Sequence, residues 1–139
     1  MLRLFVDANT LISGLAFPGN ESVLLDYARL GACELVTVEH VREEVRDVLR
    51  QPRLGFSSRE RGEALRLLAR HVLVLEDPGL EAMSREEARV RDPKDLPVLV
   101  GFEGSGCDCL VSGDKDLLGV IPRAISTKRA LALLRRSLE

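Results

Sequence analysis

The residues able to do chemistry in this sequence are carboxylates, and they come in four groups: Asp7, Glu44, the pair Asp92 and Asp95, and the pair Asp114 and Asp116. Taken singly, each has a structural explanation. Asp7-Ala8-Asn9-Thr10 reads as a strand-to-helix cap, Asp92-Pro93-Lys94-Asp95 as a helix start, and Ser112-Gly113-Asp114-Lys115-Asp116 as a turn with a cap, while Glu44 reads as a solvated helix residue. Independent caps have no reason to gather at one place. Four or five converging carboxylates repel, raise one another's pKa and destabilise the fold unless a divalent cation or a basic group neutralises them. Oxygen donors without His or Cys suit hard cations, so Mg2+ or Mn2+ fits this set. Such an ion grips phosphate oxygens, activates water and stabilises a leaving oxygen, which is the chemistry of phosphodiester hydrolysis.

Convergence depends on the elements that carry the acids. Leu2 to Val6 reads as a buried strand that ends at Asp7, followed by a short helical stretch from Leu11 to Leu15 and a break at Phe17-Pro18-Gly19. A helix is expected from about Glu21 to Leu30, then a strand from Glu34 to Val36, with Thr37 capping a third helix over about Val38 to Arg50. Val38, Val41, Val45, Val48 and Leu49 form its apolar stripe. At about 100° per residue, Glu44 falls roughly 60° from Val41 and 40° from Val48, at the edge of that stripe, whereas Glu43 lies near the opposite face.

Ser57 and Glu60 make a capping box for a helix reaching about His71, and Val72 to Leu75 forms a third strand. Glu76 to Arg91, which holds Pro78 and Gly79, reads as a loop with one or two helical turns. Asp95 is the expected N-cap of an apolar helix from Leu96 to Glu103, in whose first turn Pro97 is tolerated. Asp108 to Ser112 then forms a strand, Gly113 to Leu118 a short helix, Ala124 to Ser126 the last strand and Thr127 to Leu138 a closing amphipathic helix. This alternation predicts a parallel sheet with helices on both faces, whose sites lie beyond the carboxyl ends of the strands. Asp7, Asp114 and Asp116 fall there, and Asp95 and Glu44 can join them.

Composition narrows the class. A chain of 139 residues, 45% hydrophobic and 30% charged, is expected to form one domain over residues 1–139 around one core. No apolar run approaches the roughly 20 residues of a membrane span, and the opening strand has no signal-peptide character, so a cytoplasmic protein is expected. Cys33, Cys107 and Cys109 lack the spacing of a zinc site, and only His40 and His71 could add imidazole. Cys107 and Cys109, two apart in the expected strand, suit small buried hydrophobes better than a redox pair. Twenty basic against 22 acidic side chains leave a net charge of -2, so no overall positive field advertises nucleic acid. The cations are mostly arginine, with lysine only at 94, 115 and 128; guanidinium grips phosphate bidentately.

With these residues in view, the sequence resembles a PIN domain, the compact nuclease fold that includes the toxin subunits of many prokaryotic toxin and antitoxin pairs. Leu4-Phe5-Val6-Asp7-Ala8-Asn9 is similar to the family's opening motif, and Glu44-Val45-Arg46-Asp47-Val48-Leu49 to the segment with the acidic helix residue. Asp92-Pro93-Lys94-Asp95 with its apolar helix resembles the third motif, and Val111-Ser112-Gly113-Asp114-Lys115-Asp116-Leu117-Leu118 the fourth. The resemblance covers nearly the whole chain. It implies a three-layer α/β/α sandwich, an endoribonuclease using Mg2+ or Mn2+, frequent homodimers and, in the toxin branch, inhibition by a cognate antitoxin. It also implies that Asp7, Glu44, Asp95 and Asp114 are catalytic metal ligands, with Asp116 and Asp92 as second ligands or supporting groups. Asn9 and Ser112 would orient the acids by hydrogen bonds, and Lys115 leads the candidates for holding the RNA backbone. The chain departs from the pattern at Leu96-Pro97, where a second polar residue often follows Asp95, and at Val100-Gly101-Phe102, which replaces an alanine-rich turn.

Other classes share parts of this pattern. A phosphatase of the haloacid dehalogenase type also ends its first strand in Asp, but its usual second Asp two places on is here Asn9, and the chain is short for that fold with a cap. A phospho-accepting receiver domain would want paired acids near the start, and Arg3 and Ala8 offer none. An inactive PIN-like binding module and a housekeeping RNA-processing nuclease both remain open at this level.

Overall fold

Runs of Val, Leu and Ile without polar alternation, as in Leu4-Phe5-Val6 and Leu35-Val36, need cover on both faces, and a parallel sheet between helix layers supplies it. The computed structural model describes residues 1–139 and contains five strands: β1 (Leu2–Val6), β2 (Cys33–Val38), β3 (Val72–Leu75), β4 (Cys109–Val111) and β5 (Ala124–Ile125). They lie in the order β3-β2-β1-β4-β5 and every pairing is parallel. From β1 the chain steps outward to β2 and β3 through α1 (Ala8–Ala16), α2 (Asn20–Arg29), α3 (Glu39–Leu49) and α4 (Ser58–His71). It returns across the sheet through α5 (Leu80–Arg85) and α6 (Leu96–Ser105) to β4, and reaches β5 through α7 (Lys115–Val120).

Right-handed crossovers place α1 to α4 on one face and α5 to α7 on the other, because the chain reverses direction between the two halves. The last helix, α8 (Thr127–Ser137), packs against α2 and completes the first layer. The result is the α/β/α sandwich expected from the alternation of elements. The reversal falls between β1 and β4, so the crevice beyond their carboxyl ends is the natural place for a site.

The core runs through both faces of β1. Leu4, Phe5 and Val6 are fully buried, with Phe5 edge-on to Phe102 of α6 at 6.1 Å between ring centroids. Gly101 lets α6 approach this closely. A Cβ there would stand 2.9 Å from Val38 Cγ1 and 3.3 Å from Phe5 Cζ, so the departure at Val100-Gly101-Phe102 is a packing device. No helix is long and apolar enough to cross a membrane.

Several expected boundaries move, each for a reason visible in the hydrogen bonds. The first helix opens at Ala8 rather than Leu11, because Asp7 is itself the N-cap and its Oδ1 accepts from the Thr10 amide at 3.0 Å. Thr37 does not cap the third helix: β2 runs on to Val38, and the buried Thr37 hydroxyl donates to the Val6 carbonyl at 2.8 Å. An amide in the first turn of α3, that of His40, is instead met by Asp77 Oδ1 at 2.7 Å. The Ser57–Glu60 capping box forms as read, and the two hydrogen bonds from Ser57 hold the Glu60 carboxyl below its ordinary range.

Asp95 stands at the N-cap position of α6, as read, but its side chain does not cap the helix. A 3-10 turn over Pro93–Asp95 precedes α6, and Asp92 caps that turn by accepting from the Lys94 amide at 3.0 Å; the Asp95 side chain makes no capping bond. The expected strand at Asp108 begins only at Cys109, leaving the buried Cys107 ahead of it. All three cysteines are free thiols, and burial raises the pKa of each, Cys33 to about 11, which fits small hydrophobes.

Candidate active site

At the crevice between β1 and β4, local chain chemistry aims the first acids. Asp7 ends β1 and is almost wholly buried at 7% exposure, with both carboxylate oxygens engaged. Its Oδ1 accepts from the Thr10 amide, and its Oδ2 accepts from the Ser112 hydroxyl at 2.5 Å. The fully buried Ser112 Oγ in turn accepts from the Asp114 amide at 3.0 Å, which fixes the turn leaving β4. Asp114 caps α7: its Oδ1 accepts from the amides of Asp116 at 2.8 Å and Leu117 at 3.4 Å. One oxygen of Asp114 thus anchors backbone, as a ligand held rigid by its own hydrogen bonds would.

Asp95 reaches the same place from the start of α6. One ligand atom from each of Asp95, Asp114 and Asp116 lies within 4.8 Å of the other two. The cost of that gathering falls on Asp95, whose carboxyl is pushed up to about 6, first by burial and then by the charges of Asp114, Asp92, Asp116 and Asp7. The nearest cation is Arg91, whose Nη1 stands 3.8 Å from Asp116 Oδ1 on a largely exposed side chain. Acids so placed, with no short ion pair among them, fit a hard divalent cation.

A cleft of ≈ 270 Å³ opens over this cluster, and Asp7, Asn9, Glu44, Asp92, Asp95 and Asp114 all line it. Glu44 arrives from α3 on the far wall, an exposed side chain outside the group of three close acids. Asp116 lies outside this cleft and lines the neighbouring one. Ser112 acts from beneath the floor, through Asp7. Lys115 is exposed in the first turn of α7 and does not line the cleft.

Two lining residues were not singled out from sequence: His40, at the start of α3, and Lys94, between the two acids of Asp92-Pro93-Lys94-Asp95. The position of Lys94 inside an acidic motif was the available signal. His40 had none, since its place depends on how α3 docks beside β1.

A family comparison agrees with this arrangement. Residues 3–116 match the model of the PIN domain, so the chain belongs to the PIN domain family, whose members are generally nucleases and typically use divalent metals. No curated protein matches the sequence. Among solved structures it is similar to PAE2754 from Pyrobaculum aerophilum, with a TM-score of 0.75 and 24% identity over 97% of this chain and 90% of that one. It is also similar to a chain of VapBC2 from Rickettsia felis bound to a DNA fragment from its promoter, with a TM-score of 0.65 and 12% identity over 90% of this chain and 97% of that one. At these identities the likeness is one of fold.

Proposed function

We propose that residues 1–139 form one nuclease domain, a Mg2+- or Mn2+-dependent endoribonuclease that serves as the toxin of a toxin and antitoxin pair. The observation that carries the nuclease reading is the meeting of Asp95, Asp114 and Asp116 within 4.8 Å at the topological switch point of a PIN fold. Asp7, Glu44, Asp95, Asp114 and Asp116 would hold the ion. When bound, it supplies charge stabilisation at the phosphoryl oxygens and makes water a competent nucleophile at neutral pH. No residue is required as a covalent nucleophile.

The chain's own groups do the rest. Ser112 and the Thr10 amide hold the Asp7 carboxylate in one orientation. Asp95, at the start of α6, has its carboxyl held above its ordinary range by burial and by the charges of Asp114, Asp92, Asp116 and Asp7, a strain that a bound cation would relieve. Asn9 and Asp92 line the cleft and position the substrate and the Asp95 turn. Lys94 in the cleft, with Lys115 farther out, neutralises the RNA backbone.

The toxin role rests on the resemblance of the motifs and on the fold shared with a chain of the VapBC2 complex. It carries with it a cognate antitoxin partner, a homodimer and a cytoplasmic location. The test is cleavage of a pool of structured RNAs by the purified protein with Mn2+ or Mg2+, beside EDTA and the Asp7→Asn/Asp114→Asn double variant. Metal-dependent cuts absent from the variant are expected; intact RNA with metal bound would overturn the nuclease. Growth arrest on expression, relieved by a small neighbouring reading frame, tests the toxin role separately.

A further inference from the structure

The three close acids do not sit at the bottom of one cleft but on the divide between two. The first cleft holds Asp114, Glu44 and Lys94; a second, of ≈ 330 Å³, holds Asp116, Arg89, Arg91, Val90 and Val120; Asp95 and Leu117 border both. A phosphodiester bound at the acids therefore has somewhere to send each of its two nucleosides. The second cleft is built for one of them. Leu117, Val90 and the partly exposed Val120 give it an apolar floor that suits the face of a base or sugar.

Its two arginines are not equivalent. Arg89 is spent on structure: its guanidinium donates to both oxygens of Glu103 at 2.6 and 3.0 Å and to Glu86 at 3.1 Å. Arg91 has only the 3.8 Å approach to Asp116, on a side chain that is 85% exposed. Four or more of its five donors remain free for a phosphate that the acids themselves would repel.

We infer that the second cleft is a nucleotide subsite of the proposed nuclease, in which Arg91 holds the phosphate next to the scissile one and the Val90–Leu117–Val120 floor takes the adjoining nucleoside. The inference rests on the nuclease reading, and its chemistry is that of single-stranded RNA: a cation for the backbone beside an apolar platform.

The experiment measures both binding and cleavage of a short fluorescein-labelled single-stranded RNA pool, with binding read by anisotropy in Ca2+ and cleavage in Mn2+. Arg91→Ala is expected to weaken binding and raise KM about tenfold with kcat nearly unchanged, and to lower the salt slope of binding by about 0.7, the value of one single-strand phosphate contact. Val120→Glu, which adds repulsion of the backbone to the loss of the apolar floor, should raise KM more than Val120→Lys, which returns a cation to the cleft, whereas mere damage to the fold would raise both alike. Trimming the RNA from one end should erase the difference between wild type and Arg91→Ala; trimming from the other should not. Unchanged binding and KM in all three variants, with normal cleavage, would overturn the subsite and leave the nuclease standing. Wild type that binds RNA but cuts none would remove the nuclease reading, and the anisotropy of the variants would still judge the cleft. A wild type that binds no RNA would overturn the subsite as well.

Discussion

The Ser112 hydroxyl stands between Asp7 and Asp114, donating to Asp7 Oδ2 at 2.5 Å and accepting from the Asp114 amide at 3.0 Å. It thereby ties the end of β1 to the end of β4 across the crevice. The Ser112 amide is also fixed, to the Ile125 carbonyl at 3.0 Å, so the tie extends to β5. Neither acid can shift without the other feeling it.

Removing that hydroxyl should cost both stability and function. Ser112→Ala leaves a buried carboxylate oxygen and a backbone amide without their partner, which costs about 1–3 kcal/mol. Loss of an orienting group of this kind typically lowers metal affinity or activity about 10- to 100-fold. Urea unfolding and Mn2+ titration of the variant check the two parts; wild-type metal affinity at reduced stability would make Ser112 a packing residue only.

Asp95 gives the molecule a pH dependence of definite sign. Its folded carboxyl, at about 6, lies above its ordinary value of 3.8, so the folded state binds the extra proton between those limits. Stability of the metal-free protein therefore falls as pH rises through that window and is level above it. Asp95→Asn abolishes the proton exchange, so the metal-free variant should melt a few degrees above wild type at neutral pH, and the gap should close toward pH 4. Calorimetry in EDTA across this range decides it, and a variant less stable than wild type at neutral pH would contradict the repulsion.

Added metal should reverse that order. At a free concentration about 100 times its Kd, an ion bound only by the folded state adds about 2.7 kcal/mol, roughly 10 °C for a chain of this length. Asp114→Asn and Asp95→Asn should lose most of that shift, whereas Glu63→Gln on α4, which engages Arg59 far from the crevice, should keep it. The affinity of wild type should weaken as pH drops through about 6, where Asp95 takes up its proton.

What the sequence revealed of this site follows the range of the interactions involved. Asp7 and Asp114 are legible because Asp7 directly follows one buried strand, Asp114 comes three residues after another, and each caps the helix that comes next. From sequence Asp92 and Asp95 carry the same local capping signal, and only the 3-10 turn between them decides which side chain is consumed. The contact of Thr37 with Val6 and that of His40 with Asp77 join residues more than 30 apart, and no pattern of neighbours encodes them. Lys94 and Lys115 differ only in where their helices dock, so their unequal access to the cleft appears with the fold.

Gly101 should prove as important to the site as to the core. Its missing side chain sets the distance of α6 from Phe5 and Val38, and Asp95 stands at the first turn of that helix. Gly101→Val puts a branched side chain where even a Cβ would stand 2.9 Å from Val38 Cγ1, an overpacking cost of about 3 kcal/mol, and pushes the helix outward. A lowered melting temperature together with weaker Mn2+ binding is expected. Weaker stability with unchanged metal affinity would show that α6 can yield at its centre while its N-terminus stays in place.

The two lysines near the acids should separate in kinetics. Lys94 lines the cleft that holds Asp7 and Glu44, whereas Lys115 does not, although both are exposed. Lys94→Ala should raise KM for RNA several-fold and reduce the salt slope of binding by about 0.7, while Lys115→Ala should change either by less than about twofold. Because both lysines are exposed and neither takes part in an ion pair, neither variant should alter the melting temperature measurably, so a change in KM reports on substrate and not on folding. Equal effects of the two would mean that RNA wraps the start of α7 as closely as it enters the cleft, and a larger effect at Lys115 would place the backbone path outside the crevice altogether.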